Sequence, residues 1–230
     1  MKKRILTIGT AAFFLLGVFS LTSCDSGFTG DDDVTAGSEA DVAVTTDTTT
    51  ATASCISDLP VEELSDSEKV GILYMREEEK LARDVYTYLY DKWNIRTFLN
   101  ISKSEQAHMD AIKLLIDRYE LTDPVGDHGY GVFTNPDLQA LYDTLVGKGS
   151  VSEIEALKVG ALIEEVDIND LQEELDSYVD NQDITKVYSN LRAGSETHLR
   201  AFVWNLKVRG VEYAPVLLSL EEYESIINKD

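Results

Sequence analysis

The chain has 230 residues, with 42 Asp+Glu against 20 Lys+Arg and a formal net charge of −22. That sign excludes a nucleic-acid binder, which needs basic surface to displace counterions from phosphates, and a peripheral protein held on anionic lipid by a basic patch. Two cysteines, Cys24 and Cys55, exclude a disulfide scaffold and a Cys-built zinc site, while 43% hydrophobic residues suffice for one domain with a substantial core.

Charge divides the chain into three segments. Residues 1–23 carry Lys2, Lys3 and Arg4 and no acid, followed by the apolar run ILTIGTAAFFLLGVFSL. A basic start, a short apolar run and small residues before a break make a secretory signal. The run is short for a membrane span of ~20 residues. Leu21-Thr22-Ser23-Cys24 resembles the lipobox of bacterial lipoproteins. That resemblance implies cleavage before Cys24, lipidation of Cys24, and anchoring to a membrane of the bacterial cell envelope. An ordinary secretory signal or an uncleaved anchor helix are the alternatives.

Residues 24–60 hold eight acids and no base, and are rich in Thr, Ser, Ala and Gly. So few large apolar groups cannot offset the entropy of ordering, which predicts a disordered acidic tether. If Cys24 is lipidated, Cys55 is either a free thiol or an intermolecular link.

Residues 61–230 read as one all-α domain. Ser65-Asp66-Ser67-Glu68 has capping-box spacing and opens a helix to about Trp93. A second helix is expected from near Ser102 to near Glu120. DPVGDHGYGVF is a Gly-rich loop, and Asn135-Pro136 opens a short helix to about Val146. Ser150-Val151-Ser152-Glu153 reads as another capping box, for a helix to about Val179. Asp183 is expected to cap a fourth long helix ending at Gly210, with a short helix before Asn228.

Spacings of three and four residues define one buried stripe on each long helix. They run Ile72, Met75, Glu79, Ala82, Tyr86, Leu89, Trp93 on the first and Ile101, Glu105, His108, Ile112, Leu115, Tyr119 on the second. The third gives Ile154, Leu157, Ala161, Glu164, Ile168, Leu171, Leu175, Tyr178, and the fourth Tyr188, Leu191, Ser195, His198, Phe202, Asn205. Each stripe is interrupted by metal-ligand residue types within one turn. A modest stagger, at about 1.5 Å per residue, brings these to one level. Buried carboxylates cost several kcal/mol each unless compensated, and one or two cations would compensate them. A second register on the first helix, Tyr74, Glu78, Leu81, Val85, is also open.

Glu79-Lys80-Leu81-Ala82 with Tyr86, and Glu105-Gln106-Ala107-His108, resemble the first and second helices of rubrerythrin-like members of the ferritin-like superfamily. The wording YMREEEKLARDVY, SEQAHMDAI, ALKVGALIEEVDINDL and GSETHLRAF is similar to one bacterial family, domain of unknown function 2202. The resemblance implies a ferritin-like four-helix bundle with metal ligands Glu79, Glu105, His108, Glu164 and His198. It departs at Ser195, where the pattern has Glu; Asp167, or Glu165 if the helix unwinds, would supply the missing oxygen, and the site holds two metals asymmetrically or one. Such ligands suit iron or manganese, with zinc open to the same groups. A diiron oxidase or a peroxide-reacting protein is implied, with an external electron donor because the chain has no Cys-x-x-Cys. A non-catalytic metal- or protein-binding lipoprotein is the alternative. Tyr74 and Tyr86 are read as core residues, and His128 as a solvated loop residue.

Overall fold

The computed structural model describes residues 56–229. The signal, the lipidation site Cys24 and the tether as far as Cys55 lie outside the described residues. Residues 56–60, assigned to the tether by composition, pack on the bundle. Ile56 is buried, and Arg118 donates to the Leu59 carbonyl.

Ser65 opens α1 (Asp66–Trp93) with a complete capping box: its hydroxyl accepts from the Glu68 N–H, and the Glu68 carboxylate accepts from the Ser65 N–H. Asn94 ends the helix at φ 54°, in the left-handed region that Asn tolerates better than most side chains. The chain reverses there, so α2 (Arg96–Arg118) begins well before Ser102. Its N-cap, Ile95, makes no side-chain cap bond, so no polar signal marks the start. Packing sets it instead: the Phe98 ring lies 6.0 Å from Tyr86 and 5.3 Å from Phe202.

Asn135 caps α3 (Pro136–Gly149). Ser152, not Ser150, caps α4 (Glu153–Ser177), accepting from the Glu155 N–H. Asn181 precedes α5 (Gln182–Val208). Asp183, expected as the cap, lies in the first turn, where Arg118 and the Tyr119 hydroxyl take its carboxylate. Ser219 caps α6 (Leu220–Ile227). Among the described residues there is no strand, and no helix is long and apolar enough to cross a membrane.

α1 pairs with α2 and α4 with α5; contacts of α2 with α5 and of α1 with α4 close the bundle. The start of α1 meets the end of α4, where Glu68 accepts from the Asp180 and Asn181 N–H groups. The end of α1 meets the start of α4, where Trp93 donates to the Gly149 carbonyl at 2.8 Å. α1 and α4 are therefore antiparallel, and the helices run up, down, down, up. Residues 119–152 must travel the length of the bundle to connect α2 to α4.

That crossover is fastened along α1. Arg76 binds Asp123, Glu77 accepts from the Thr134 and Asn135 N–H groups, Lys80 donates to the Gly129 carbonyl, and Asp84 accepts from the Gly131 N–H. Arg76 to Leu81 are all buried in consequence. The two registers expected on the first helix are both covered, one by the bundle and one in part by the crossover.

The apolar interior falls into two clusters. One gathers Tyr86, Leu89, Phe98, Leu157, Ala161 and Phe202; the other gathers Ile72, Met75, Ile112, Leu115, Leu171 and Tyr188. On α1, α2 and α5 the polar interruptions lie between the two; on α4, Glu164 and Asp167 come just before the change of cluster at Leu171. The core is thus split by a polar layer at mid-height.

Candidate metal centre

Five side chains from four helices meet in that layer. Glu105 is the hub. Its Oε2 lies 2.8 Å from His108 Nδ1, and its Oε1 lies 2.8 Å from His198 Nδ1. Glu79 approaches His108 Nδ1 at 3.2 Å, and Glu164 approaches His198 Nδ1 at 3.4 Å. The two imidazole rings stack with centroids 5.4 Å apart. Glu79, Glu105 and His108 each offer a ligand atom within 4.8 Å of the others, as do Glu105, Glu164 and His198. These are two adjoining triads that share one carboxylate.

Neighbours fix the donors. The Tyr86 hydroxyl donates to Glu164 Oε1. His198 Nε2 lies 2.9 Å from the Ser104 hydroxyl, which turns Nδ1 inward. Metal-binding histidines usually have such a partner on the second nitrogen. His108 Nε2 lies against Gly194, where a Cβ would come within 2.6 Å of it.

The layer carries strong internal electrostatics. Burial pushes the Glu79 pKa up to about 7, against the pull of His108. Burial, and then the charge of Glu105, also raises Glu164. Burial opposes ionisation of Glu105, but His198 and His108 outweigh it and hold its pKa low. Burial opposes charge on His198, yet Glu105 and Glu164 lift it to about 9. His108 is raised well above its ordinary value against the same penalty, by Glu79 and Glu105. Without a cation, the layer balances itself with protons.

The residue types fit a metal. Three carboxylates and two imidazoles make a mixed oxygen and nitrogen set suited to iron, manganese or zinc. Glu79 Oε1 is buried and accepts no hydrogen bond. Asp167 faces the same layer: it is fully buried, neither oxygen has a hydrogen-bond partner, and burial followed by the charges of Glu79, Glu78 and Glu164 raises its pKa well above the usual range.

Other expected residues lie elsewhere. α4 is unbroken, and Glu165 turns away from the layer, accepting from the N–H groups of Val216, Leu217 and Leu218 and from the Tyr213 hydroxyl. It is not available as the substitute ligand. The Ser195 hydroxyl donates to the Leu191 carbonyl, and Glu196 is held by Arg192 and Lys229. Glu78 is buried beside Tyr74 and Asp170, outside both triads. Exposed His128 meets Thr134 in the loop. Sequence reasoning missed Ser104 and Gly194. A glycine inside a helix does signal a close approach, whereas Ser104 becomes meaningful only once α2 and α5 are paired.

A relative described as an uncharacterized protein, MJ0754 of Methanocaldococcus jannaschii, is 53% identical over 173 residues, covering 75% of this chain and 93% of the relative. The crystal structure of the hypothetical protein MJ0754 from Methanococcus jannaschii matches with a TM-score of 0.73 at 51% identity, covering 75% of this chain and 98% of that one. The family model for the uncharacterized protein domain DUF2202 matches residues 68–230, and the chain belongs to that family.

Proposed function

We propose that the chain is an exported, lipid-anchored, ferritin-like protein that holds one or two metal ions, iron above all, in its bundle core. The observation that carries this reading is the pair of buried triads sharing Glu105. Glu79, Glu105 and His108 would hold one ion, and Glu105, Glu164 and His198 the other. Bound iron would supply oxidation chemistry with dioxygen or peroxide. The chain's own part is positioning: Tyr86 holds Glu164, Ser104 holds His198, and the two apolar clusters keep bulk water from the layer. Turnover would draw on an external reductant. Lipidated Cys24 would keep the domain at a membrane of the cell envelope.

A second reading is a metal-binding module without redox turnover, or a protein-binding one. Ser195 favours it, because its hydroxyl is committed to the Leu191 carbonyl and leaves the second triad one carboxylate poorer.

Metal content separates these readings. The protein, purified without chelator and reconstituted with ferrous iron, is expected to retain metal that a Glu105→Ala/His108→Ala variant lacks. Equal, near-zero metal in both would remove the metal centre. If metal is retained, the absence of any ferrous-to-ferric absorbance change with oxygen or peroxide would leave the binding module standing.

A further inference from the structure

On α4, Glu164, Asp167 and Asp170 follow one another at intervals of three, so they share a helix face and climb about 4.5 Å per step. Glu164 belongs to the centre, Asp167 is fully buried, and Asp170 is half-buried at the edge of the bundle. α1 packs antiparallel on α4 and adds Glu78, whose polar neighbours are Asp170 and the Tyr74 phenol. Asp167 in turn feels the charges of Glu79, Glu78 and Glu164. Carboxylates therefore follow one another from the surface at Asp170, through Glu78 and Asp167, to Glu79 and Glu164.

The middle of this line is poorly compensated. Glu78 and Asp167 are 2% and 0% exposed; Glu78 has the Tyr74 phenol and the Asp170 carboxyl beside it, and neither oxygen of Asp167 has a hydrogen-bond partner. Buried acids elsewhere are differently treated. Glu165 is bound by three N–H groups, Asp84 by Lys80 and Arg83, Asp183 by Arg118, and Glu68 by Ser65 and Asn181. A buried carboxylate without a donor costs several kcal/mol, and Leu or Ile at either position would fill the same space without that cost.

We infer that Asp170, Glu78 and Asp167 form the passage by which a divalent cation reaches the centre, an inference that rests on the metal-binding reading above. Oxygen-only ligands suit a hard divalent cation. Helix neighbours one turn apart, about 5–6 Å between Cβ atoms, let an ion take its next carboxylate before it leaves the last. Two carboxylates hold it weakly; the triads add imidazole and a third ligand, so it moves inward and stays. Transit needs sites that attract an ion yet release it. The acidic excess of the chain raises the local cation concentration at the Asp170 mouth.

The test is a loading rate. Metal-free protein is mixed with cobalt(II) alone, and the visible bands of bound cobalt are followed in time. Asp170→Asn and Glu78→Gln should each slow loading about 10-fold and reach the wild-type final intensity. Asp170→Lys, at a half-buried position that tolerates a long side chain, should slow it further. Glu153→Gln, exposed at the far end of α4, should leave the rate unchanged. Wild-type rates in the passage variants, with full final intensity, would overturn the passage and leave the centre intact. Reduced final intensity with unchanged helical circular dichroism would make these residues resident ligands and overturn it equally. No cobalt bands in the wild type would remove the centre, and the passage with it.

Discussion

Gly194 occupies a place where a methyl group has no room, since its Cβ would stand 2.6 Å from His108 Nε2. In an unconstrained helix, Ala is worth about 1 kcal/mol more than Gly. Here the same exchange would press the His108 ring outward, away from Glu79 and Glu105, which its Nδ1 faces at 3.2 and 2.8 Å. Gly194→Ala is therefore expected to keep the helical circular dichroism of the wild type and to weaken cobalt(II) affinity about 10- to 100-fold. Equilibrium dialysis checks this, and wild-type affinity would show that His108 yields without leaving the triad. Local propensity and the demands of the layer point in opposite directions at this residue.

Each helix was legible to the extent that its own residues specify it. The Ser65 capping box and the Asn135-Pro136 pair act within a few residues, and the structure uses both as the sequence implies. The start of α2 was not legible, because Ile95 offers no cap and the boundary is set by Phe98 packing against Tyr86 and Phe202. Asp183 looks like a cap and is diverted to Arg118, a partner distant in sequence. The apolar stripes placed the layer because a 3.6-residue period is local, but the direction of each carboxylate depends on what lies across from it. Glu165 illustrates this: it adjoins Glu164 in sequence, yet it anchors the chain between α5 and α6. Its carboxylate gathers the Val216, Leu217 and Leu218 N–H groups at 2.9, 2.7 and 3.0 Å. An amide cannot accept so many charge-assisted bonds. Glu165→Gln should cost the segment about 1–3 kcal/mol of local stability. Hydrogen exchange would read this as faster exchange at residues 216–218 with unchanged protection in α1 and α2. Uniform loss of protection would mean that the segment and the bundle open together.

At the scale of the whole bundle, the polar layer makes stability depend on pH and on metal together. Glu79 titrates at an ordinary 4.5 when unfolded and at about 7 when buried. The native state therefore binds its proton more tightly, a contribution present below pH 4.5 and lost as pH rises through about 7. His198, raised from 6.5 to about 9, adds stability below pH 6.5 that is lost as pH rises through about 9. His108, Glu164 and Asp167 are raised too and act with the same sign. Glu105, held low by both imidazoles, acts oppositely: its contribution is present above pH 4.5 and is lost as pH falls below that. The metal-free bundle should therefore lose melting temperature steadily from about pH 5 to about pH 9. A cation replaces the protons as the balancing charge, so binding must release them, and affinity must rise with pH until the imidazoles are neutral. At a free metal concentration of about 1,000 times Kd, binding adds about 4 kcal/mol, which offsets part of the loss of protons. Melting temperatures at pH 5, 7 and 9, with and without cobalt(II), are expected to diverge as pH rises: falling steeply without metal, and less steeply with it. Parallel curves would mean that the layer does not exchange protons for a cation. The carboxylates in the bundle core would then have a purely structural role.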